Sequence, residues 1–400
     1  MSTGRYGTGV YGTDTYGGGT SWPAEPIWQD DRPSRGPFTA IPAIWLSDAS
    51  RHRKAPLVPA YPYRATVTFN EDRLYKRDMR VEVVNPDTIE PLVDYLLAEL
   101  FITDADGRQA TLPLGHFLVT ERDITTTKTM RTGVLQAQEG TRALGDAVMP
   151  VWVRMLAGSD PGATARQWLG IYGIPPDMID IPNAGMVTTS ELRWDAGETW
   201  LTVLNDILSA GNMYHVWCTG DGRFRSRKYE DIAQATPVAH YGSHSGAYIV
   251  PPVQEEPDFG RLRNRIIVRK ISPTEDPIVG KAEVTDPSSP VHPLRLAARR
   301  NSTYPVWLAE TIDDPNVADQ AAAEARAQAL LSEGASYYMP LTIQTLADDV
   351  LDGHQTVSLD LRHDTETYYT GNWRQRTWEL RLQGSSAIVK RQLYRTERWK

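Results

Sequence analysis

The chain has 400 residues, 40% of them hydrophobic, and carries 42 Lys and Arg against 50 Asp and Glu, a net charge of −8. Length and apolar content describe a globular protein of about two or three domains, and the acidic balance excludes one whose main task is to grip nucleic acid, which needs a basic face. The single cysteine, Cys218, excludes an internal disulfide and any Cys-based zinc cluster.

The opening MSTGRYGTGVYG has no basic patch followed by an apolar core, so a cytosolic product without a signal peptide is expected. The longest apolar stretch, near Leu96 to Ile102, is broken by Glu99. It falls far short of the roughly 20 residues of a membrane span. The 12 Trp and 18 Tyr outnumber 6 Phe. That bias suits surfaces that meet other surfaces, and equally a β-rich chain.

Residues 1–60 read as an extended N-terminal arm. Tyr6-Gly7-Thr8, Tyr11-Gly12-Thr13 and Tyr16-Gly17-Gly18 make a five-residue repeat, and Pro23, Pro26, Pro33, Pro37, Pro42 and Pro56 follow. Glycine loosens the chain and proline lacks a donor, so no long strand or helix is expected. Too few aliphatic residues are present for a core, so ordering requires a neighbour's surface. Tyr6, Tyr11, Tyr16, Trp22 and Trp28 are the partner-binding anchors, because rigid aromatics lose little entropy on burial.

Residues 61–149 read as a first β domain. Tyr63, Ala65, Val67 and Phe69 alternate with polar residues, as do Met79, Val81 and Val83. The run Leu92 to Ile102 leads to the turn Asp106-Gly107, and strands follow near Phe117 and over Met130 to Ala137. Residues 150–255 read as an α/β insert. It holds a short helix from Ala163 to Tyr172 and a second over 196–209, with Asp195 and Glu198 as a capping box and Gly211 as its end. A hairpin runs from Met213 to Tyr229 about Asp221-Gly222. Residues 256–400 read as a second β domain: a strand at Ile266 to Val268, an Ala-rich helix opened by Pro315 and closed by Gly334, and strands around Leu359, Leu380 and Ile388 to Tyr394.

Sites of chemistry are weak. His240 and His244 are four apart, but Gly242, Ser243 and Gly246 argue against a helix, so they are read as loop histidines, with no metal. Gly242-Ser243-His244-Ser245-Gly246 has histidine where a nucleophile elbow needs serine. Asp104-Ala105-Asp106-Gly107 resembles a calcium loop, but Gly115 stands where the bidentate Glu belongs, so a hairpin turn is expected. His215 lies an odd number of residues from Cys218 and so faces away from it, leaving a structural thiol. No phosphate loop and no distinct carboxylate pair is present. No catalytic residue, cofactor site or metal site is assigned.

Four landmarks, in this order, resemble the baseplate hub (minor tail) proteins of tailed bacteriophages. They are Gly115-His116-Phe117-Leu118-Val119 with Gly133-Val134-Leu135-Gln136-Ala137 and Thr141-Arg142-Ala143-Leu144; Thr199-Trp200-Leu201 through Gly211 with Gly220-Asp221-Gly222-Arg223-Phe224-Arg225; Asn264-Arg265-Ile266-Ile267-Val268; and the Ala-rich helix at 317–331 with Gly371-Asn372-Trp373. The Tyr-Gly repeat looks like that of phages of actinobacterial hosts. The resemblance covers roughly residues 62–396.

The resemblance implies a mainly β chain of two tail-tube-like β-barrel domains that superpose, plus the insert and the arm. It implies a homotrimer in the virion tail tip, whose six barrels match a sixfold tube. The Ala-rich helix would pack on the second barrel and a helix before Ile102 on the first. Implied partners are further copies of the chain, a distal tail protein, a tape-measure protein and tail fibre or tip proteins, with DNA only in transit through the lumen. Many hub chains carry a fused hydrolase. This chain ends at Lys400 after its last strand, so none is expected. The alternatives are a distal tail ring subunit or fibre adaptor, and a glycan-binding or glycan-cleaving β protein.

Overall fold

The computed structural model describes residues 39–397 except 59–63, 104–108, 233, 243–248, 256–262, 272–275, 290, 315–316, 318, 335–336, 349–350, 364–365 and 384–385. Seven strands come first: β1 (Thr39–Ser47), β2 (Arg53–Pro56), β3 (Arg64–Asn70), β4 (Arg77–Val84), β5 (Tyr95–Thr103), β6 (Gln109–Thr126) and β7 (Arg131–Glu139). The alternation expected of β3 and β4 is present: Ala65, Val67, Phe69, Met79, Val81 and Val83 are buried. The strands pair antiparallel in the order β3-β4-β7-β6-β5-β1-β2. β6 carries an extra residue at Leu114 against β5 and another at Thr120 against β7. Such bulges bend a strand and deepen its twist. The sheet curls until β1 lies near β21, a strand from the other end of the chain.

Two expectations fail here. The arm does not run to residue 60, because β1 pairs β5 along its whole length from Thr39 and buries Ala40, Ile44 and Leu46. Pro42 was the misleading residue. It sits where β1 has no second neighbour, since β2 covers only Trp45 to Ser47, and an edge tolerates a missing donor. Among the described residues no α-helix precedes Ile102 either, only the single 3-10 turn Pro86–Thr88. β5 occupies the stretch up to Ile102 and is buried on both faces, and a continuous apolar run does not distinguish helix from buried strand.

The insert follows as α1 (Thr141–Asp146), β8 (Val153–Met155), α2 (Pro161–Tyr172), β9 (Ile179–Asp180), β10 (Leu192–Trp194), α3 (Trp200–Ala210), β11 (Trp217–Cys218) and β12 (Phe224–Arg225). Asp160 caps α2 by accepting from the Ala163 amide at 2.9 Å, and Gly173, at φ 109, ends it. α3 is capped by Thr199, whose hydroxyl accepts from the Thr202 amide. The capping box at Asp195 and Glu198 is thereby replaced. Leu201, Val203, Leu204, Ile207 and Leu208 fill a core of their own with Leu169, Trp194 and Met213.

β13 (Ala239–Gly242) and β14 (Ile249–Glu255) return to the large sheet. A second lobe then comprises β15 (Arg265–Lys270), β16 (Ile278–Glu283), α4 (Pro293–Arg299), β17 (Ala309–Asp313) and α5 (Gln320–Gly334), with β16-β15-β17 as a separate sheet. α5 lies tight against that sheet. A Cβ on Gly280 would stand 2.1 Å from the Ala323 carbonyl carbon. The Ala-rich helix therefore packs on its own three-stranded sheet and not on the large one. A helix of small residues seats on whatever backbone approaches closest, and glycine in β16 provides that approach.

β18 (Tyr337–Leu346), β19 (Thr356–His363), β20 (Glu366–Gln383) and β21 (Ser386–Glu397) complete the fold. β20 pairs with β3, setting Leu380 opposite Val67 and Leu382 opposite Ala65. That joins the halves into one 13-stranded sheet running β14-β18-β21-β20-β3-β4-β7-β6-β5-β1-β2, with β13 and β19 branching from β20. The chain is mainly β, as the sequence indicates, but the barrels are not closed. Among the described residues the strand path ends at β2 and β14. Two apolar cores lie on this sheet. Trp378 belongs to the first, with Val67, Met79 and Leu135, and Trp373 to the second, with Tyr241, Ile343 and Leu359. A bulge at Arg376 lies between them.

Candidate functional site

The five arm anchors, Tyr6, Tyr11, Tyr16, Trp22 and Trp28, lie outside the described residues, as do the turn Asp104–Gly107 and His244. His240 sits on strand β13 and not in a loop, and its side chain is exposed. Cys218 is buried against Gly140 and Phe224, and burial holds its thiol well above the ordinary range. His215 pairs with Ser209 at 3.1 Å. Cys218 is therefore a packed thiol with no thiolate to offer. Among the described residues no three His, Cys, Asp or Glu side chains gather as metal ligands would.

The chemically dense region is a buried joint. It centres on the segment between β18 and β19, which bonds to β4, β13, β20 and β21 of the large sheet and to β11 and β12 of the insert. Asp352 accepts from Trp217 Nε1 at 3.0 Å and from Arg225, and stands 3.6 Å from Arg77. Arg77 is fully buried and donates to the carbonyls of Leu114 and Leu351, both at 2.8 Å. Arg225 and Arg227 clamp Asp180. Burial would raise that carboxyl, but the two guanidiniums overcome burial and hold it at about 2. Asp348 accepts from Tyr241 at 2.6 Å and from Arg391, tying the second core to the same segment.

His354 and Glu71 lie at the centre of the joint. His354 has φ 56, in the left-handed region, and its ring stacks on Tyr214 at 3.9 Å and meets Trp217 edge-on at 4.8 Å. Its Nδ1 approaches Glu71 Oε2 at 3.2 Å but off line for a hydrogen bond, and among the described residues both ring nitrogens and that oxygen lack a hydrogen-bond partner. Burial drives Glu71 up to about 7 and, with Lys76 and Arg374 adding to it, drives His354 well below its ordinary value. Next to them Glu139 accepts from the amides of Lys76 and Cys218 at 3.0 and 2.9 Å and from the Thr141 hydroxyl at 2.7 Å. Its carboxyl is raised by burial, against these bonds. This arrangement welds insert to sheet, with Arg77 and Glu139 fully buried within it and His354 and Glu71 nearly so. The sequence signal missed was the set Asp348, Asp352 and His354 between two strands, which no motif marks.

The outward surface is apolar in places. Val148, Val151, Trp152, Leu156 and Val187 are all exposed around β8 and β10, with Arg193 4.8 Å from the Trp152 ring. Ile41 and Phe101 are exposed register partners on β1 and β5. Exposed patches of this kind mark surfaces that meet other proteins.

No family model and no curated protein matches the sequence. Solved structures match the fold. The tail protein from Neisseria meningitidis MC58 aligns with a TM-score of 0.59 at 16% identity, over 90% of this chain and 98% of that one. The 43 kDa tail protein of prophage MuSo2 from Shewanella oneidensis aligns at 0.56 and 9% identity, over 88% and 98%. Prophage tail protein gp18 from Listeria monocytogenes EGD-e aligns at 0.51 and 12% identity, over 90% and 95%. Across about nine-tenths of its length, the chain has the fold of phage tail proteins.

Proposed function

We propose that the chain is a structural hub subunit of a phage tail tip, forming a homotrimeric ring that joins the tail tube and distal tail ring to tip and fibre proteins and surrounds the DNA passage. The observation that carries this reading is the likeness of fold over nearly the full length of several tail proteins. The two cores strung along β20 and β21 supply the two tube-like units per chain that a threefold ring needs to meet a sixfold tube. Sheet edges at β2 and β14 are the surfaces that ring closure covers. A net charge of −8 suits a channel to which DNA must not adhere.

The aromatic anchors Tyr6, Tyr11, Tyr16, Trp22 and Trp28 attach the subunit to tail neighbours, among which are the distal tail and tape-measure proteins. The proposed role is structural rather than catalytic, which the burial of Cys218 and of the densest described cluster of ionisable groups supports. Cryo-electron microscopy of the assembled tail tests the assignment. Three copies in one ring support the hub. Six copies assign the chain to the distal tail ring, and absence from any ring removes the reading. Clearing of a cell-wall zymogram by the pure protein, lost on a single carboxylate substitution, would overturn the non-catalytic part.

A further inference from the structure

The lobe built on β15, β16 and β17 carries a surface that the hub reading does not use. From Pro287 to Ala309 the chain has Arg295, Arg299 and Arg300 and no acidic residue, in a protein of net charge −8. Arg299 and Arg300 are exposed and make no ion pair among the described residues. The flanking carboxylates are engaged elsewhere: Asp286 Oδ1 accepts from Ser288, and Glu310 from Arg263 at 3.0 Å. Tyr304 is 78% exposed and Leu294 60%.

The surface is also rigid. Ser302 accepts from the Tyr304 amide at 3.2 Å and donates to its carbonyl at 2.9 Å. The fully buried Asn264 donates to the carbonyls of Val291 and Val306 and accepts from Leu308. A tyrosine held outward on a fixed turn, beside two free guanidiniums, is preorganised for a partner that is both acidic and aromatic.

The chain contains such a partner. Between Tyr6 and Asp31 there is no Lys or Arg, and Asp14, Glu25, Asp30 and Asp31 intersperse with Tyr16, Trp22, Ile27 and Trp28. The exposed pair Ile41 and Phe101 lies nearer in sequence, but the adjoining residues include Asp104 and Asp106, the wrong charge. Chain length sets the limit on reach: Trp22 precedes β1 by 17 residues and Asp31 by 8, about 56 Å and about 26 Å when extended. Tethering in one chain raises the effective concentration to about the millimolar range.

We propose that residues 14–31 dock on the α4–Tyr304 surface of their own chain, as a latch that keeps the aromatic arm occupied in the free subunit until tail neighbours displace it. The latch takes the arm as an attachment segment, as proposed above, but does not depend on the ring. Tail symmetry tests the ring, and the following experiment tests the latch.

The full-length chain is made with Tyr304→p-benzoylphenylalanine, irradiated, and digested with trypsin. The expected crosslink is to the peptide 6–35, cut after Arg5 and Arg35 because the Arg32–Pro33 bond resists cleavage. In a mixture of ¹⁴N and ¹⁵N protein, both halves of the crosslink carry the same isotope. Yield falls at least about five-fold with Arg299→Glu/Arg300→Glu and is restored when Asp30→Arg/Asp31→Arg is added. It also falls as salt rises from about 0.05 to 0.5 M. Crosslinks elsewhere, no crosslink, mixed-isotope pairs, or a yield indifferent to charge reversal overturn the latch. So does retention of duplex DNA that the double Arg variant loses, which assigns the surface to nucleic acid.

Discussion

Removing the carboxylate at the centre of the joint separates a welded insert from a merely adjacent one. Asp352→Ala deprives four groups at once, the first being the Gly353 amide, which donates to Oδ1 at 2.8 Å. Trp217 Nε1, in a ring with no exposure, loses its acceptor, and a buried orphan donor costs about 1–3 kcal/mol. Arg77 and Arg225 lose an anion, and cutting one partner from a buried ion pair costs about 3–5 kcal/mol. The total is below the sum, because Arg225 keeps Asp180 at 2.7 Å and Arg77 keeps two carbonyls. About 4 kcal/mol is expected for Ala, and about 2 for Asp352→Asn, which still accepts from Trp217. Urea unfolding followed by tryptophan fluorescence reads the magnitude, and hydrogen exchange reads the location. The amides of Tyr214, Trp217, Cys218 and Phe224 should lose protection while β4 and β7 keep theirs. A change under about 1 kcal/mol, or a uniform loss over the sheet, refutes the claim that this residue ties insert to sheet.

Gly280→Ala forces α5 off its sheet, since the new Cβ meets the Ala323 backbone. Overpacking of this kind costs about 1–3 kcal/mol, seen as faster exchange in α5 with the large sheet unaffected. Glu71→Gln tests a pH dependence. A carboxyl raised to about 7 from 4.5 favours folding only while protonated, so its penalty sets in as pH rises from about 4.5 through 7. Relative to the parent, the variant should gain on the order of 3 kcal/mol between pH 4 and 8. The opposite shift of His354 is present in both proteins and cancels, and a difference that does not vary with pH refutes the assignment. Cys218 should resist maleimide in the folded protein for as long as the fold persists and react at once in denaturant, by mass spectrometry. Deleting residues 2–37 should leave the melting temperature within a few degrees, whereas deleting 2–58 removes β1, exposes Leu97 and Leu100, and should collapse the yield of soluble protein.

Local pattern was legible wherever one face is buried and the other is wet. β3 and β4 and helices α2 and α3 all follow from period alone. Burial on both faces erased the signal in β5, and proline at an open edge disguised β1. The long-range pairing of β3 with β20 was not legible, since nothing local in Val67 announces that Leu380 will lie opposite it. The joint was hidden for the same reason. Asp352, Trp217 and Arg77 are spread over 276 positions of the chain and acquire meaning only when the sheet brings them together. The arm anchors rest on composition alone.

The bulged strand β20 has a mechanical consequence. Trp373 anchors one core and Trp378 the other, and both sit on a single backbone that is paired to β21 on either side of Arg376. Tension applied along that strand loads its ladder in shear, so many hydrogen bonds resist together instead of opening one at a time. The cores are coupled by a beam and not by a hinge. A torque entering through one half must reach the other with little lost to bending, which is the property that the proposed place between tube and tip would demand.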